Sequence, residues 1–213
     1  MSGLRVAVMA SGGGTNLQQL LDRFPGREAA LSSAEVCLVV TNRPGVGALE
    51  RAERAAVPSA VVDPAAFDSP EAFGQRLIGL FKAEGIDLIV LAGYLKMLPP
   101  NLVAAFSNRI INIHPALLPL FGGQGMYGRK VHEAVLAAGV KVSGPTVHFV
   151  NEQYDKGPII AQRTVPVYHT DTPEELAGRV LEAEHEILPE VVALIAEGRV
   201  KVVDGIVQIS QQA

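Results

Sequence analysis

The sequence predicts an α/β fold: a doubly wound, mostly parallel sheet with an antiparallel portion towards the C-terminus. Up to His114, short β-branched runs alternate with longer amphipathic runs, as in successive βαβ units. The run 87–93, DLIVLAG, is apolar on both faces and predicts a central strand covered on both sides. Two later runs, 144–150 and 158–167, predict an antiparallel pair joined by a polar turn.

The other early elements follow in order along the chain. Strands are predicted at 4–10, 35–41, 59–63 and 109–114, and helices at 15–24 and 45–55. Ser69, Pro70 and Glu71 supply a cap, a first-turn proline and an early acid, so a helix should begin there and run to about Glu84.

The last third of the chain predicts a long helix and a hairpin. Thr172 and Glu175 have capping-box spacing at the start of the helix. A closing hairpin is predicted over 200–209, around the turn pair Asp204-Gly205. Because no internal repeat or linker-like stretch interrupts the sequence, we expect residues 1–213 to form a single domain.

Composition limits the class of protein. The chain has 213 residues, 48% of them hydrophobic, and a formal net charge of -4. Its Lys and Arg residues are scattered, which argues against sequence-independent binding to nucleic acid. The only cysteine, Cys37, is interpreted as a buried residue in a reducing compartment. The N-terminal apolar run is too short for a signal peptide, and no window is long enough to cross a bilayer. We therefore expect a soluble cytoplasmic protein without a membrane partner.

The glycine-rich stretch SGGGTN, residues 11–16, lies between the first strand and the first helix. Glycines there let a ligand approach the backbone, and the amides that open a helix attract anions. No Gly-Lys-Ser/Thr triplet follows, which excludes a P-loop. Leu17 occupies the third glycine position of a dinucleotide fingerprint, and no acid ends the second strand. The stretch predicts a site for one phosphate at Gly14, Thr15 and Asn16, with a purely structural turn as the alternative.

Asn112 and His114 lie in IINIHPALLP, residues 110–119. Two residues apart on a strand, they face the same side. Pro115 ends the strand at its carboxyl end, where doubly wound sheets gather their active sites. A neutral imidazole can accept a proton and a carboxamide can donate to an oxyanion. The pair favours catalysis over the alternative, a pair that is hydrogen-bonded into the core.

Two acids extend the set of candidates. Asp155, in NEQYDKGP, is either a turn-former or a residue that holds an imidazole and raises its pKa. Glu184 falls inside the apolar stripe of the last long helix, whereas Glu182 and Glu186 fall outside it. A buried carboxylate needs a partner, which is either a structural Arg or Lys or a ligand amine or hydroxyl.

The sequence lacks the motifs of a serine hydrolase and of a zinc-binding helix. There is no Gly-x-Ser-x-Gly elbow, and His185-Glu186 lacks the second histidine of a zinc helix. His132 and His148 are interpreted as structural or surface residues. The segment 120–130, LFGGQGMYGRK, is interpreted as a mobile loop, because its glycines follow a proline-bounded stretch instead of a strand.

The stretches ASGGGTNLQ, INIHPALLP and GPTVHFVNEQYDKGPII resemble the phosphoribosylglycinamide formyltransferase family over nearly the whole chain. The second stretch is shared with methionyl-tRNA formyltransferase and formyltetrahydrofolate deformylase, whose usual extra domains we do not expect here. The resemblance implies a Rossmann-like formyltransferase fold. It also implies transfer of a formyl group from 10-formyltetrahydrofolate to the glycyl amine of 5'-phosphoribosylglycinamide in purine biosynthesis, without a metal. A deformylase and a non-catalytic folate- or nucleotide-binding regulator are the alternatives.

The resemblance also implies the residues of the site. Asn112, His114 and Asp155 match the catalytic trio. The ribonucleotide-binding positions are Gly14, Thr15, Asn16 and Glu184, the last of which contacts the ribose. The folate-binding positions are Leu95, Lys96, Met97, Leu98, Asn112, Asn151, Glu152, Gln153, Tyr154 and Asp155.

Three further expectations follow from the same resemblance. Residues 1–110 form mainly the nucleotide- and phosphate-binding half, and residues 111–213 mainly the catalytic and folate-binding half. Pro70 stands where some relatives have an arginine that meets the folate tail. The oligomeric state stays open, with a homodimer as one alternative.

Overall fold

The computed structural model describes residues 3–25 and 33–211. Within them the chain forms a mostly parallel sheet flanked by helices, together with two small antiparallel sheets. The chain divides into two compact units, the first ending at Ile111 and the second beginning at Asn112. The predicted fold class is confirmed, and the single-domain organisation stays a prediction.

The first unit holds the parallel strands. Its strands are β1 (Leu4–Ala10), β2 (Ala34–Thr41), β3 (Ser59–Val61) and β4 (Leu88–Leu91). Its helices are α1 (Thr15–Arg23), α2 (Gly47–Arg54), α3 (Pro70–Ala83) and α4 (Pro100–Ala105), with a short 3-10 helix at Pro64–Ala66. β1 pairs in parallel with both β2 and β4, and β2 pairs in parallel with β3.

Burial in the first unit follows the sequence pattern. Every residue of β4 is buried, as expected for a central parallel strand covered on both faces. α3 begins at its predicted cap, where the Ser69 hydroxyl accepts a hydrogen bond from the Ala72 amide at 3.1 Å. The sequence does not predict α4, because six residues are too few to display a helical apolar period.

The next strand of the large sheet, β5 (Ile110–His114), contains the boundary between the units. The second unit continues with β6 (Val142–Ser143), β7 (Thr146–Phe149), β8 (Ile159–Gln162), β9 (Val165–Pro166), β10 (Val200–Val203) and β11 (Ile206–Ile209). Its helices are α5 (Arg129–Ala137) and α6 (Pro173–Ala196). The seven-stranded sheet has the order β3-β2-β1-β4-β5-β7-β8, and β6-β9 and β10-β11 form two-stranded sheets.

The antiparallel portion is confirmed, with one correction. β7 and β8 pair antiparallel as predicted. The run 158–167 is not one strand, however, because the chain ends β8 at Gln162 and pairs again as β9 with β6. Gly144 permits this change of partner, since a Cβ at that position would lie 1.8 Å from the Arg163 carbonyl oxygen.

The predicted C-terminal elements are present. α6 begins with its capping box: the Thr172 hydroxyl accepts from the Glu175 amide at 3.3 Å, and the Glu175 carboxylate accepts from the Thr172 amide at 2.7 Å. The closing hairpin turns at Asp204 and Gly205, both with positive φ, as in a type I′ turn. Across residues 3–25 and 33–211, no helix combines the length and the apolar character that crossing a bilayer requires.

Candidate active site

Asn112 and His114 lie on β5, immediately before Pro115, as the sequence predicts. The residues that alternate with them, Ile111 and Ile113, are buried apolar side chains. His114 is only 3% exposed, and Asn112 is half-buried. A buried imidazole at the end of a strand needs polar neighbours, and the second unit supplies them.

Four polar side chains of the second unit form one group, the Asp155 cluster, which consists of Asn112, His114, His148 and Asp155. His114 Nδ1 lies 3.7 Å from Asp155 Oδ2, and His148 Nε2 lies 3.6 Å from Asp155 Oδ1. Asn112 Nδ2 lies 3.1 Å from His148 Nε2. Asp155 therefore presents one carboxylate oxygen to each imidazole, and the three residues predicted from the sequence come together.

The turn that carries Asp155 is held by its backbone. Asp155 has a φ of 53°, in the left-handed region that Asp enters more readily than most residues. Its Oδ2 accepts a hydrogen bond from the Gly123 amide at 2.8 Å. Gly157 closes the turn against β7, since a Cβ there would lie 1.8 Å from the Phe149 carbonyl oxygen. Asp155 is thus both a turn residue and a neighbour of His114.

His148 belongs to the cluster, which corrects its interpretation as a merely structural or surface residue. It is 2% exposed, and its Nδ1 lies 2.8 Å from the Phe149 carbonyl oxygen, an acceptor that makes Nδ1 the protonated nitrogen. In a neutral ring, Nε2 then accepts the hydrogen bond that Asn112 Nδ2 donates. The signal in the sequence was a polar residue within TVHFV, but its partner depends on β7 following β5 in the strand order.

The glycine-rich segment 120–128 contacts the cluster through its backbone. His114 Nε2 donates to the Phe121 carbonyl oxygen at 2.8 Å, and Gly123 donates to Asp155. A Cβ at Gly122 would lie 2.5 Å from Leu118 Cδ2 and 3.1 Å from Asp155 Cβ. The segment therefore forms a wall of the cluster, a role that the prediction of a mobile loop did not include. α5 begins at Arg129, inside the stretch assigned to that loop.

His114 is neutral at neutral pH in this environment. Burial lowers the pKa of its imidazole. The Asp155 carboxylate and the Phe121 carbonyl raise the pKa, His148 lowers it, and the net value lies below the ordinary one. Asp155 therefore raises the pKa of this imidazole as predicted, but the loss of solvation is the larger effect and sets the direction of the net shift.

Asp155 is ionised at neutral pH. Burial raises the pKa of its carboxyl group, but the neighbouring His148 imidazole and the hydrogen bond from the Gly123 amide lower it, with His114 acting in the same direction. The net pKa lies below the ordinary value. An ionised carboxylate 3.7 Å from a neutral imidazole stabilises that ring whenever it takes up a proton, so His114 can hold a proton transiently.

His132, on α5, is another buried histidine and interacts electrostatically with His114. Burial lowers the pKa of its imidazole, and His114 lowers it further. Its Nδ1 has no hydrogen-bond partner in the part of the chain that the structure describes. Among those same residues, no three or more His, Cys, Asp or Glu side chains are arranged to hold a metal ion.

In the first unit, residues 11–16 lead from β1 into α1. Gly14 is the cap of this nine-residue helix and has a φ of 73°. A Cβ at Gly14 would lie 3.0 Å from both the Cα and the Cβ of Ala48, so the turn accepts only glycine without strain. Thr15 is exposed and Asn16 is buried. The opening of α1 thus has the backbone geometry of the predicted phosphate site.

The first segment predicted to bind folate follows β4. Leu95, Lys96 and Met97 are exposed, and Leu98 is buried. The Leu95 amide donates to the Ser11 hydroxyl at 3.0 Å, which fixes the start of the segment beside the glycine-rich stretch. Two large apolar side chains, Leu95 and Met97, are therefore available to a flat apolar ligand.

The second predicted folate segment is the turn before Asp155. Asn151, Glu152, Gln153 and Tyr154 are all exposed. Asn151 Oδ1 accepts from the Gln153 amide at 3.0 Å, an Asx-type contact that shapes the turn. The segment is continuous with Asp155 and therefore lies beside the cluster.

Glu184 lies on the buried face of α6, as its place in the apolar stripe predicts. It is 8% exposed, whereas Glu182 and Glu186 are exposed. On the outer side of the helix, Arg163 pairs with Glu186 and Glu190. The helix thus separates carboxylates that face solvent from one that is buried.

The chain matches a known family over most of its length. The protein-family model described as "Formyl transferase" matches residues 4–192 of this chain. A phosphoribosylglycinamide formyltransferase, chloroplastic, from Arabidopsis thaliana is 46% identical over 92% of this chain and 67% of its own length. The phosphoribosylglycinamide formyltransferase of Haemophilus influenzae is 35% identical over 98% of this chain and 95% of its own length.

Longer proteins contain a similar region. The trifunctional purine biosynthetic protein adenosine-3 of Gallus gallus is 42% identical over 93% of this chain, which spans 19% of that protein. The chain also spans 62% of a chloroplastic phosphoribosylglycinamide formyltransferase from Vigna unguiculata. A crystal structure of glycinamide ribonucleotide transformylase 1 from Symbiobacterium toebii has a TM-score of 0.90 and 44% identity, covering 98% of this chain and 95% of its own.

Proposed function

The chain belongs to the formyl transferase family, and from that premise we propose that it acts as a phosphoribosylglycinamide formyltransferase. It transfers the formyl group of 10-formyltetrahydrofolate to the glycyl amine of 5'-phosphoribosylglycinamide. The products are formylglycinamide ribonucleotide and tetrahydrofolate, in purine biosynthesis. Relatives of that name support the activity, and the meeting of Asn112, His114 and Asp155 in one cluster is the observation that supports the mechanism.

The reaction begins when the neutral glycyl amine attacks the formyl carbon on N10 of the folate. The carbonyl π electrons move to oxygen, and a tetrahedral oxyanion forms. Asn112 Nδ2 carries a second hydrogen beyond the one it donates to His148, and we assign it to this oxyanion. Collapse of the intermediate breaks the bond between the carbon and N10.

Proton balance requires the attacking nitrogen to lose a proton and N10 to gain one. A neutral His114 is in the form that accepts the first proton, and Asp155 stabilises the resulting imidazolium. The imidazolium then stabilises the oxyanion, and a water ordered by Asp155 passes the proton to N10. A lowered imidazole pKa favours this role, because the ring releases its proton readily.

The substrates are assigned to the segments that the resemblance implies. Gly14, Thr15 and Asn16 bind the phosphate, and Glu184 binds the ribose. The folate is assigned to the segments 95–98 and 151–155, in which residues 95–97 and 151–154 are exposed. No metal, nucleic acid or membrane takes part. We assign the reaction to the cytoplasm because the sequence has a single cysteine, the buried Cys37, and so cannot form an internal disulfide, although plant relatives are named chloroplastic.

The experiment follows deformylation of 10-formyl-dideazafolate spectroscopically, with and without the ribonucleotide substrate. A signal that depends on the amine is expected. His114→Ala is the matched control, because it removes the proposed proton acceptor and leaves the binding segments intact. A signal without the amine would instead identify a deformylase, and binding without any signal would identify a regulator. Either result would refute the proposed transfer.

A further inference from the structure

The carbonyl groups of the first three residues of the glycine-rich stretch bond to the segment that follows β2. The Ser11 carbonyl oxygen accepts from Arg43 Nε at 3.0 Å. The Gly12 carbonyl oxygen accepts from the Ala48 amide at 3.1 Å. The Gly13 carbonyl oxygen accepts from Arg51 Nε at 2.8 Å. Three successive peptide groups are therefore fixed by donors on one side of the stretch.

Fixing the carbonyls also fixes the amides. In a planar trans peptide the C=O of one residue and the N–H of the next point in opposite directions. The amides of Gly12, Gly13 and Gly14 therefore point away from α2. None of the three donates a backbone hydrogen bond within the described residues, and Gly13 is exposed. Successive backbone amides of this kind form a concave anion site.

Arg51, on α2, bonds both to the glycine-rich stretch and to α1. Besides holding Gly13, its Nη1 donates to Gln18 Oε1 on α1 at 2.8 Å. Its Cδ would lie 3.4 Å from a Cβ placed on Gly14, so its methylene chain packs against the cap of α1. One guanidinium thus joins α2, the glycine-rich stretch and α1, and it places a positive charge on the carbonyl side of the stretch.

We propose that Arg51 is a positioning residue for the substrate phosphate. It holds the Gly13 carbonyl so that the Gly14 amide and its neighbours face the phosphate, and it thereby sets the preference for a phosphorylated substrate. This inference rests on the proposed function. A purely structural Arg51 would stabilise the fold without distinguishing a phosphorylated substrate from the same compound lacking its phosphate.

The test compares Arg51→Ala with wild type on the two substrates. Loss of a charge-assisted hydrogen bond is expected to raise KM for the phosphorylated substrate by about 10- to 100-fold, with little change in kcat. KM for the dephosphorylated substrate should not change. Arg54→Ala is the matched control, since Arg54 is an exposed arginine on α2 whose one hydrogen bond among the described residues is to the Glu50 carbonyl of its own helix. Equal changes in KM for both substrates, or no change in either, would overturn the proposal.

A second variant covers the case in which Arg51→Ala does not fold, as judged by its thermal unfolding. Gln18→Ala removes the link from Arg51 to α1 and keeps the charge, so KM for the phosphorylated substrate alone should rise about 2- to 10-fold. An unchanged KM in Gln18→Ala would contradict the proposal.

If wild type transfers no formyl group at all, the proposed function fails. Binding of inorganic phosphate, measured by calorimetry, then tests Arg51 separately: weaker binding in Arg51→Ala supports its role, and unchanged binding refutes it.

Discussion

Two regions of the molecule offer different chemical groups to a ligand: the glycine-rich stretch in the first unit and the Asp155 cluster in the second. The stretch offers main-chain amides, oriented by Arg43, Ala48 and Arg51. The cluster offers side chains, among them His114 and Asp155, whose pKa values are moved by burial and by their neighbours. The first suits a ligand of constant charge, and the second suits a reaction in which protons move.

Substitutions in the two regions should have different effects on the reaction. A site made of amides tolerates many side chains but not an added Cβ where the backbone is close-packed, as at Gly14. A site made of side chains depends on the identity of each group, and a change at one affects the others through Asp155. Substitutions in the cluster should therefore lower kcat, and substitutions in the stretch should raise KM.

The largest effect is expected in the cluster. His114→Ala removes the proton acceptor and should lower kcat by about 10²- to 10⁴-fold in a steady-state assay. Asp155→Asn keeps the shape of the turn but removes the charge that stabilises the imidazolium, so it should also lower kcat by orders of magnitude. Near-normal turnover in Asp155→Asn would remove that residue from the catalytic trio and weaken the contrast between the two regions.

An intermediate effect is expected in the stretch. Gly14→Val places a branched side chain against Ala48 and should raise KM for the ribonucleotide about 10-fold or more, because the amides can no longer keep their orientation. Gly45→Val is the control, since Gly45 also has a positive φ but a Cβ there would meet nothing within 4 Å. An unchanged KM in Gly14→Val would refute the assignment of the phosphate to this stretch.

The smallest effect concerns stability and pH. His114 and His132 have lowered pKa values in the folded protein, so below about pH 6.5 the unfolded chain binds more protons than the folded one. Stability should therefore fall as pH falls below that value, by at most about 1.4 kcal/mol per pH unit for each histidine. His132→Gln should flatten the fall in a series of thermal unfolding curves from pH 8 to pH 5. An identical pH profile in this variant would show that His132 does not contribute.

Local patterns predicted most of the fold. Caps and periodicity located α3 and α6, and alternation located the strands, because each signal lies within a few residues of the element that it defines. α5 was missed because its start lies within a glycine-rich segment that contains no cap signal; the residue before Arg129 is Gly128, with a φ of 55°. The break between β8 and β9 was missed because it depends on which strand each part pairs with.

The site was predictable where its chemistry is local and not where it is tertiary. Asn112 and His114 can be recognised in the sequence because they share one face of a strand. His148 joins them only because β7 follows β5 in the sheet, an order that the sequence does not encode locally. The net pKa of His114 likewise depends on the folded chain: Asp155 raises the pKa, as the sequence suggested, but burial of the ring lowers it by more.

The left-handed backbone of Asp155 has a consequence for anyone who engineers this chain. A φ of 53° is one that glycine adopts more readily than aspartate does, but glycine would lose the hydrogen bond that the carboxylate accepts from the Gly123 amide. Backbone preference and this hydrogen bond therefore act on the position in opposite directions. A library screened only for survival at high temperature would reveal which of the two is larger, whereas a library screened for turnover would also select for the acid itself.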